Sequence, residues 1–413
     1  MELEKVKISE LGKVVTGKTP PTKKQEYYGE KYPFITPTDM NGSDRYIEPE
    51  RSLSEKGYDY QKNSLLPKNS ICFVCIGATI GKICLTNKAS FTNQQINSII
   101  PNEEKVDPKF VYYLLSTKAE KIKSIAGGAA TPIVNKSSFS GVEVEIPSKE
   151  TQEKIASILS AFDDLIENNS RRISILEEMA RLIYREWFVH YRYPGHENDR
   201  LVDSGTDLGD VPEGWEIGTI GDLYDMKSGF AFKSKKLVDQ GSFGVIKIGN
   251  IQSGDIDVAG VQFIENDKVP EKAVKFKLYP GDVLIAMTGA KVGKVGIMPK
   301  TKNPYYLNQR VGKYFSKNEA LKSHMYLYAF LNSREAQANI EHLAQGAAQP
   351  NISATDLKSL KLPIPPEQIL KEFEEFTLSM RDEMLTLRQK NVKLKETRDL
   401  LLPKLISGTI NID

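Results

Sequence analysis

Cysteine is nearly absent. The 413 residues hold three, Cys72, Cys75 and Cys84, all in one short stretch. So few thiols so close together build no disulfide framework, which fits a reducing compartment. Histidine is scarce too: His190, His196, His324 and His342 do not cluster in sequence. The C-x-x-C spacing of Cys72 and Cys75 therefore lacks the further ligands that a zinc site needs, and the apolar run ICFVCIG around it points to packing. No window approaches the roughly 18 uninterrupted apolar residues of a membrane span, and the opening MELEKVKISE is charged where a secretory leader is apolar. The expectation is a cytoplasmic protein with no membrane partner. No Ser/His/Asp or paired-carboxylate arrangement stands out, nor a nuclease-like set of carboxylates and lysine. With 40% hydrophobic residues the chain is globular, long enough for two or three domains.

What is present is an internal repeat, which must be read before any motif. IGATIGK (Ile76 to Lys82) returns as TGAKVGK (Thr288 to Lys294), so that Gly77, Gly81 and Lys82 each recur 212 positions later. NQQI at Asn93 returns as NQRV at Asn308, and GGAATPIV (Gly127 to Val134) as QGAAQPNI (Gln345 to Ile352). Each copy then runs into a strand-like segment ending in Ile-Pro, VEVEIP to Pro147 and LKLPIP to Pro365.

After each Ile-Pro the hydrophobic period changes from two to helical. Ile155, Leu159, Phe162, Ile166, Asn169, Ile173, Leu176, Ala180, Ile183 and Trp187 alternate four and three apart, a heptad seam. Phe373, Thr377, Met380, Met384, Leu387, Asn391, Leu394, Arg398, Leu401 and Leu405 keep the same spacing with weaker apolar content. The run from Tyr191 to Val211, rich in Gly, Asp and Pro, reads as a linker. The net charge of +2 divides unevenly: about +3 over residues 1–148, −5 over 149–211, +5 over 212–365 and −1 over the remainder. Basic lobes alternate with acidic helices, and a basic lobe suits a phosphate-contacting surface.

The repeat also serves as an internal control on motifs. GKVVTGKT (Gly12 to Thr19) satisfies the phosphate-loop pattern letter for letter, but Pro20 and Pro21 follow where a helix must start. Its counterparts at Tyr224, Gly229, Phe230 and Ala231 keep one glycine, so Gly17 and Gly229 read as turn residues. The counterparts of Cys72 and Cys75 are Leu284 and Met287. NPYY (Asn303 to Tyr306) is one residue from the Asn-Pro-Pro-Tyr loop with which amino-methyltransferases hold a flipped base, but it has neither the second proline nor a glycine-rich loop for the methyl donor.

The order lobe, long helix, lobe, long helix resembles the specificity subunit of type I restriction-modification systems. Three segments carry the likeness: VPEGWEIGTIGDL (Val211 to Leu223) opens the second lobe, KLPIPPEQ (Lys361 to Gln368) enters the second helix, and LLLPKLISGTI (Leu400 to Ile410) closes it. The first lobe departs in lacking a Pro-x-Gly-Trp opening, and IPSKETQ is a looser form of IPPEQ.

The resemblance implies an α+β fold of two similar mixed α/β target recognition lobes, joined by two long helices packed as an antiparallel coiled coil in a pseudo-twofold repeat. The segments would be 1–148, first recognition domain; 149–190, first spacer helix; 191–211, linker; 212–365, second recognition domain; 366–407, second spacer helix; and 408–413, a tail. It also implies a chain that catalyses nothing. Each lobe would read half of a split sequence in double-stranded DNA, two modification subunits would dock on the helices, and restriction subunits would join the complex. No cofactor is expected in this chain; S-adenosylmethionine, ATP and Mg belong to the partner subunits. The alternatives are a diverged DNA methyltransferase or nuclease fusion, and a scaffold whose basic lobes bind an acidic protein.

Candidate DNA-contacting residues follow from side-chain chemistry. Lys82 and Lys294, closing the glycine turns with Thr79 and Lys291, suit phosphate, though a β-turn with a solvated lysine looks the same. Asn93, Gln94, Gln95, Asn308, Gln309 and Arg310 carry groups that can bond base edges bidentately, or can cap turns. Loops at Thr16 to Thr22, Thr36 to Asn41, Lys227 to Lys233 and Gly249 to Gln252 add Lys18, Thr38, Lys227, Lys233 and Asn250. A first helix from about residue 152 to 188 would be roughly 55 Å long, which implies half-sites separated by several unread base pairs. Pairing Asn169 with Asn391, the one polar amide in each seam, fixes the helix register and sets residue 152 opposite 408 and 188 opposite 372.

Overall fold

The computed structural model describes residues 2–40, 44–127, 131–206, 209–258, 260–344, 350–410 and 412. Part of the GGAATPIV and QGAAQPNI repeat, and Asn41 at the end of one expected loop, lie outside the described residues. By contacts the chain forms two units, Met1–Glu167 with Lys393–Asp413, and Asn168–Val392.

The first unit opens with strand Glu4–Lys7, antiparallel to Glu143–Ile146, where alternation buries Val6 against Val144. The chain turns through helix Ile8–Leu11, whose Glu10 accepts a hydrogen bond from the Lys7 N–H at 2.7 Å. The stretch that mimicked a phosphate loop is the next strand, Gly12–Thr16. It pairs with Ile96–Pro101 at the edge of a four-stranded sheet that continues through Ile71–Val74 to Ile83–Leu85. In a second sheet, Tyr32–Ile35 runs parallel to Phe91–Thr92. Helix Pro108–Thr117 starts where its sequence directs, with Pro108 in the first turn and the Asp107 carboxylate accepting from the Phe110 N–H at 2.8 Å. It buries Phe110, Val111, Leu114 and Leu115 in the core.

The second unit repeats this order. Strand Glu216–Thr219 pairs with Lys361–Ile364, and helix Ile220–Leu223 follows. The sheet runs Tyr224–Ser228, Val311–Ser316, Val283–Ala286, Val295–Ile297, position for position the sheet of the first lobe. Phe243–Ile246 is parallel to Tyr305–Leu307, as Tyr32–Ile35 is to Phe91–Thr92. Cys72 and Cys84 face each other across the strands, fully buried, and burial pushes the Cys75 thiol up to about 11. These thiols pack as apolar side chains.

The long helices are Lys149–Phe188 and Glu367–Ile406. They pack antiparallel, as each unit shows separately. In the first, Ile155, Ala156 and Leu159 share a core with Leu405 and Ile406, and Arg398 bonds Asp163 at 2.5 Å. In the second, the Asn169 Nδ2 donates to the Asn391 Oδ1 at 2.9 Å, Arg388 meets Glu177 at 2.6 Å, and the Phe188 and Phe373 rings stand 4.9 Å apart. Gly408, at φ +72°, ends the second helix in the left-handed region.

Each long helix also holds its own lobe. Gln152 accepts from the Asp107 N–H at 3.1 Å beside the start of helix Pro108–Thr117. Glu374 accepts from the Tyr326 N–H at 2.7 Å and from the Ser323 hydroxyl, at the start of helix Met325–Leu331. Burial pushes the Glu374 carboxyl up to about 7. The stretch read as a linker is folded: Leu201–Asp203 and Asp210–Pro212 form a two-stranded ladder, and Tyr191 and Tyr193 each sit 5.3 Å from the Trp215 ring. Aromatic burial here overrides the turn-forming composition.

Candidate nucleic-acid interface

All the expected DNA-contacting residues but Lys227 lie on loops or short turns, and the loops of the two lobes are anchored alike. In the first, the Lys18 N–H donates to the Thr92 carbonyl at 3.0 Å, the Asn93 N–H to Ile35 at 3.2 Å, and the Cys75 N–H to Gln95 at 2.8 Å. In the second, Phe230 donates to Leu307 at 2.9 Å, Asn308 to Ile246 at 3.0 Å, and Met287 to Arg310 at 3.1 Å. The glycine turns are anchored equivalently, Gly77 on the Pro132 carbonyl at 3.0 Å and Gly289 on Pro350 at 2.9 Å. Gly77, Gly81, Gly289 and Gly293 all have positive φ, which explains the recurring glycines.

Gly17 and Gly229 have no positive φ, so left-handed backbone is not what requires glycine there. Their need for glycine is close approach. A Cβ on Gly17 would lie 2.2 Å from the Asn93 carbonyl oxygen, and one on Gly229 2.1 Å from that of Leu307. The backbone pinches together at the same place in both lobes.

Several candidates hold the loops instead of projecting from them. Asn93 is buried, its amide donating to Gln95 Oε1 at 3.0 Å while its Oδ1 accepts from the Gln95 N–H at 3.1 Å. Asn308 is buried too, and Asn250 caps its own turn by accepting from the Lys247 N–H at 3.0 Å and donating to Gly260 at 3.3 Å. In this structure Asn93 and Asn250 support their loops through these bonds, Asn308 is buried beside them, and Gln95 is half-buried. Lys82 donates to the Pro37 and Met40 carbonyls, and Lys291 to Gly249 at 2.6 Å. Both ammonium groups tie one loop to another; burial, then the nearby Lys294, lowers the pKa of Lys291. Lys227 lies in strand Tyr224–Ser228, not in a loop, 5.2 Å from the Phe315 ring.

What faces outward is a shorter set. Gln94 is exposed with its Oε1 held by the Thr19 hydroxyl at 2.6 Å, and Gln309 and Arg310 are exposed at the same turn of the second lobe. Lys18 is exposed over the Tyr60 ring at 4.1 Å, and Tyr60 lies tilted against Tyr27 with ring centroids 4.9 Å apart. Lys233 is exposed beside Lys235 and Lys236. Thr38 is exposed and bonded to Thr36 at 2.8 Å, while Thr79 and Lys294 are half-buried on the glycine turns. Tyr27, Tyr60, Lys235 and Lys236 escaped the sequence reading. The three-lysine run was visible in the letters, but the lysine and tyrosine that stack are far apart in sequence. Lysine over tyrosine is the pairing that meets phosphate with charge and a base or sugar with a ring. Among the described residues no group of three His, Cys, Asp or Glu could hold a metal ion, and no helix is long and apolar enough to cross a membrane. Tyr305 and Tyr306 of NPYY are buried in a strand.

The sequence matches the type I restriction modification DNA specificity domain twice, over residues 1–178 and 212–378. It is 30% identical to the type I restriction enzyme MjaIX specificity subunit of Methanocaldococcus jannaschii, covering 98% of this chain and 93% of that one. The type I restriction enzyme HindI specificity subunit of Haemophilus influenzae is 40% identical over 169 residues, 39% of this chain and 36% of the relative. In fold the chain is similar to the crystal structure of a type I restriction-modification S subunit from M. genitalium, with a TM-score of 0.58 at 18% identity, over 98% of this chain and 96% of that one.

Proposed function

The chain belongs to the type I restriction-modification DNA specificity family, and from that premise we propose that it is the non-catalytic subunit that selects the DNA sequence of such a complex. Each lobe reads one half of a split duplex target. The long helices set the spacing and dock two modification subunits, and restriction subunits join through the complex. S-adenosylmethionine, ATP and Mg act on those partners, in the cytoplasm. The observation that carries this reading is the loop cluster built twice on the same pinch, with different exposed groups: Gln94 in one lobe, Gln309 and Arg310 in the other. One scaffold presenting two different sets of donors and acceptors is what reading two different half-sites requires. A diverged methyltransferase or nuclease fusion is not favoured, because the stretch nearest a methyltransferase motif is core strand.

Mapping the methylated motif in the source genome tests the proposal. Two short half-sites separated by unread base pairs are expected, and a continuous recognition sequence would overturn it. Purified chain alone should transfer no methyl group to DNA, and its binding to duplex should weaken steeply with salt.

A further inference from the structure

Each lobe meets the helix pair through a partly buried polar cluster, and the two clusters share a plan. In the first unit the Tyr113 hydroxyl, from helix Pro108–Thr117, bonds the Asp163 carboxylate, whose other oxygen accepts from Arg398 of the second long helix at 2.5 Å. In the second unit Tyr328, from helix Met325–Leu331, bonds Glu177 at 3.3 Å, and Glu177 accepts from Arg388 at 2.6 Å. A loop of each lobe also reaches the long helices beside the cluster. Arg45 reaches Asp164 at 2.5 Å and Glu167 at 3.2 Å; in the other lobe Gly254 and Asp255 meet Arg388 at 2.7 Å and 3.3 Å. The loop supplies the cation in one lobe and the acceptors in the other, yet tyrosine, carboxylate and arginine recur in both.

These clusters are a poor way to gain stability alone. Arg45, Asp163 and Arg388 are all under a tenth exposed, and among the described residues Arg45 Nε and Nη1 and Arg388 Nη1 are buried with no hydrogen-bond partner. Buried ion pairs seldom exceed apolar packing in stability, but they fix geometry, because a displaced guanidinium leaves its carboxylate buried and unpaired. Apolar contacts slide; these do not.

We propose that the Tyr113–Asp163–Arg398 and Tyr328–Glu177–Arg388 clusters are positioning clamps, each fixing the angle of its lobe on the helix pair and thereby setting how strictly the complex demands one gap length between half-sites. The inference rests on the reading that the lobes recognise a split target. The clamp residues do not touch DNA. They control gap stringency and leave base choice within each half-site to the loops.

The test uses the full chain assembled with its modification subunits, and duplexes bearing the methylome-derived half-sites at the native gap and one base pair shorter or longer. A second series keeps the native gap and changes one base in either half-site. Arg398→Met and Arg388→Met should reduce discrimination against the wrong gaps by a factor on the order of five, the equivalent of about one hydrogen bond, with half-site base discrimination unchanged. Tyr113→Phe and Tyr328→Phe should move in the same direction by less, and they decide the matter if the arginine variants do not fold; Arg398→Lys should restore part of the stringency. If gap and base discrimination fall together, or neither moves in a folded variant, the clamp is only structural and the proposal fails. A wild-type complex with no preference for a split target would overturn the underlying reading first, and would be recognised as that failure.

Discussion

The pair of seam asparagines offers a sharp perturbation. Asn169 and Asn391 are both buried, bonded amide to amide at 2.9 Å, with Asn391 also donating to the Ser170 hydroxyl at 3.1 Å. Apolar layers at Ile173 and Leu387 flank them. Replacing Asn391 by leucine leaves the Asn169 amide facing hydrocarbon. Stranding a buried polar group costs about 1–3 kcal/mol, offset in part by the apolar surface that leucine adds. Asn169→Leu strands the other amide at a similar cost. The double variant strands neither and builds an ordinary leucine layer, so it should be at least as stable as either single variant. The coupling energy is then negative and of the size of one single loss, about 1–3 kcal/mol. Urea denaturation of the full-length chain, followed by far-ultraviolet circular dichroism, gives the four midpoints of this cycle. Single variants within roughly 0.5 kcal/mol of wild type, or a double variant whose loss equals the sum of the two, would refute the reasoning.

Glu374 supplies a pH dependence. Its folded pKa of about 7 lies above the ordinary carboxylate value, so the native state favours the protonated form; the stability it contributes is fully present below about pH 4.5 and is lost as pH rises through 7, an effect of up to about 3 kcal/mol. Glu374→Gln should remove that fall, which midpoints compared between pH 5 and 8 would reveal; an unchanged slope counts against a buried acid. His324 works in the opposite sense, its folded pKa lowered by burial to about 4, so that stability is lost as pH falls below about 6.5; the difference between Glu374→Gln and wild type isolates the carboxyl. Gly17→Ala or Gly229→Ala forces the backbone pinch apart and should destabilise its own lobe by more than about 1 kcal/mol, as hydrogen exchange confined to that lobe would show. Arg310→Ala should relax base choice in the half-site read by the second lobe by about 1–3 kcal/mol and leave the first intact, scored on the methylated motif. Phe373→Ala, which opens the aromatic cluster around Phe188 and Tyr326, should cost about 3–5 kcal/mol in a thermal melt.

The long helices were legible because heptad spacing is a property of one segment: Ile155 to Trp187 and Phe373 to Leu405 declare their buried stripe without reference to anything distant. The repeat of the lobes was legible because glycines at Gly77 and Gly289 answer to local backbone geometry. The inward turn of Asn93, Asn308 and Asn250 was not, since whether an amide faces solvent or a neighbouring carbonyl depends on loops that fold onto it from elsewhere. The ladder between Leu201–Asp203 and Asp210–Pro212 was hidden for a related reason, as composition registers Gly, Asp and Pro but not that Tyr191 and Tyr193 would find Trp215. Arg45 with Asp164, and Lys18 with Tyr60, are pairings across long separations that no periodicity announces.

Both clamp carboxylates, Asp163 and Glu177, stand on the first long helix, and both clamp arginines, Arg388 and Arg398, on the second. Descent from a duplicated half would have made the helices alike and equally ready to pair with themselves. Here a first helix meeting the first helix of another chain would bring acids without their arginines, and two second helices would bring Arg388 and Arg398 together without the Glu177 and Asp163 that they meet here. The exposed Arg172–Glu383 pair has the opposite polarity, but it is screened by solvent and too weak to reverse the preference. The division of charge therefore works as a mating rule: it favours a first helix meeting a second helix and penalises the pairing of like helices.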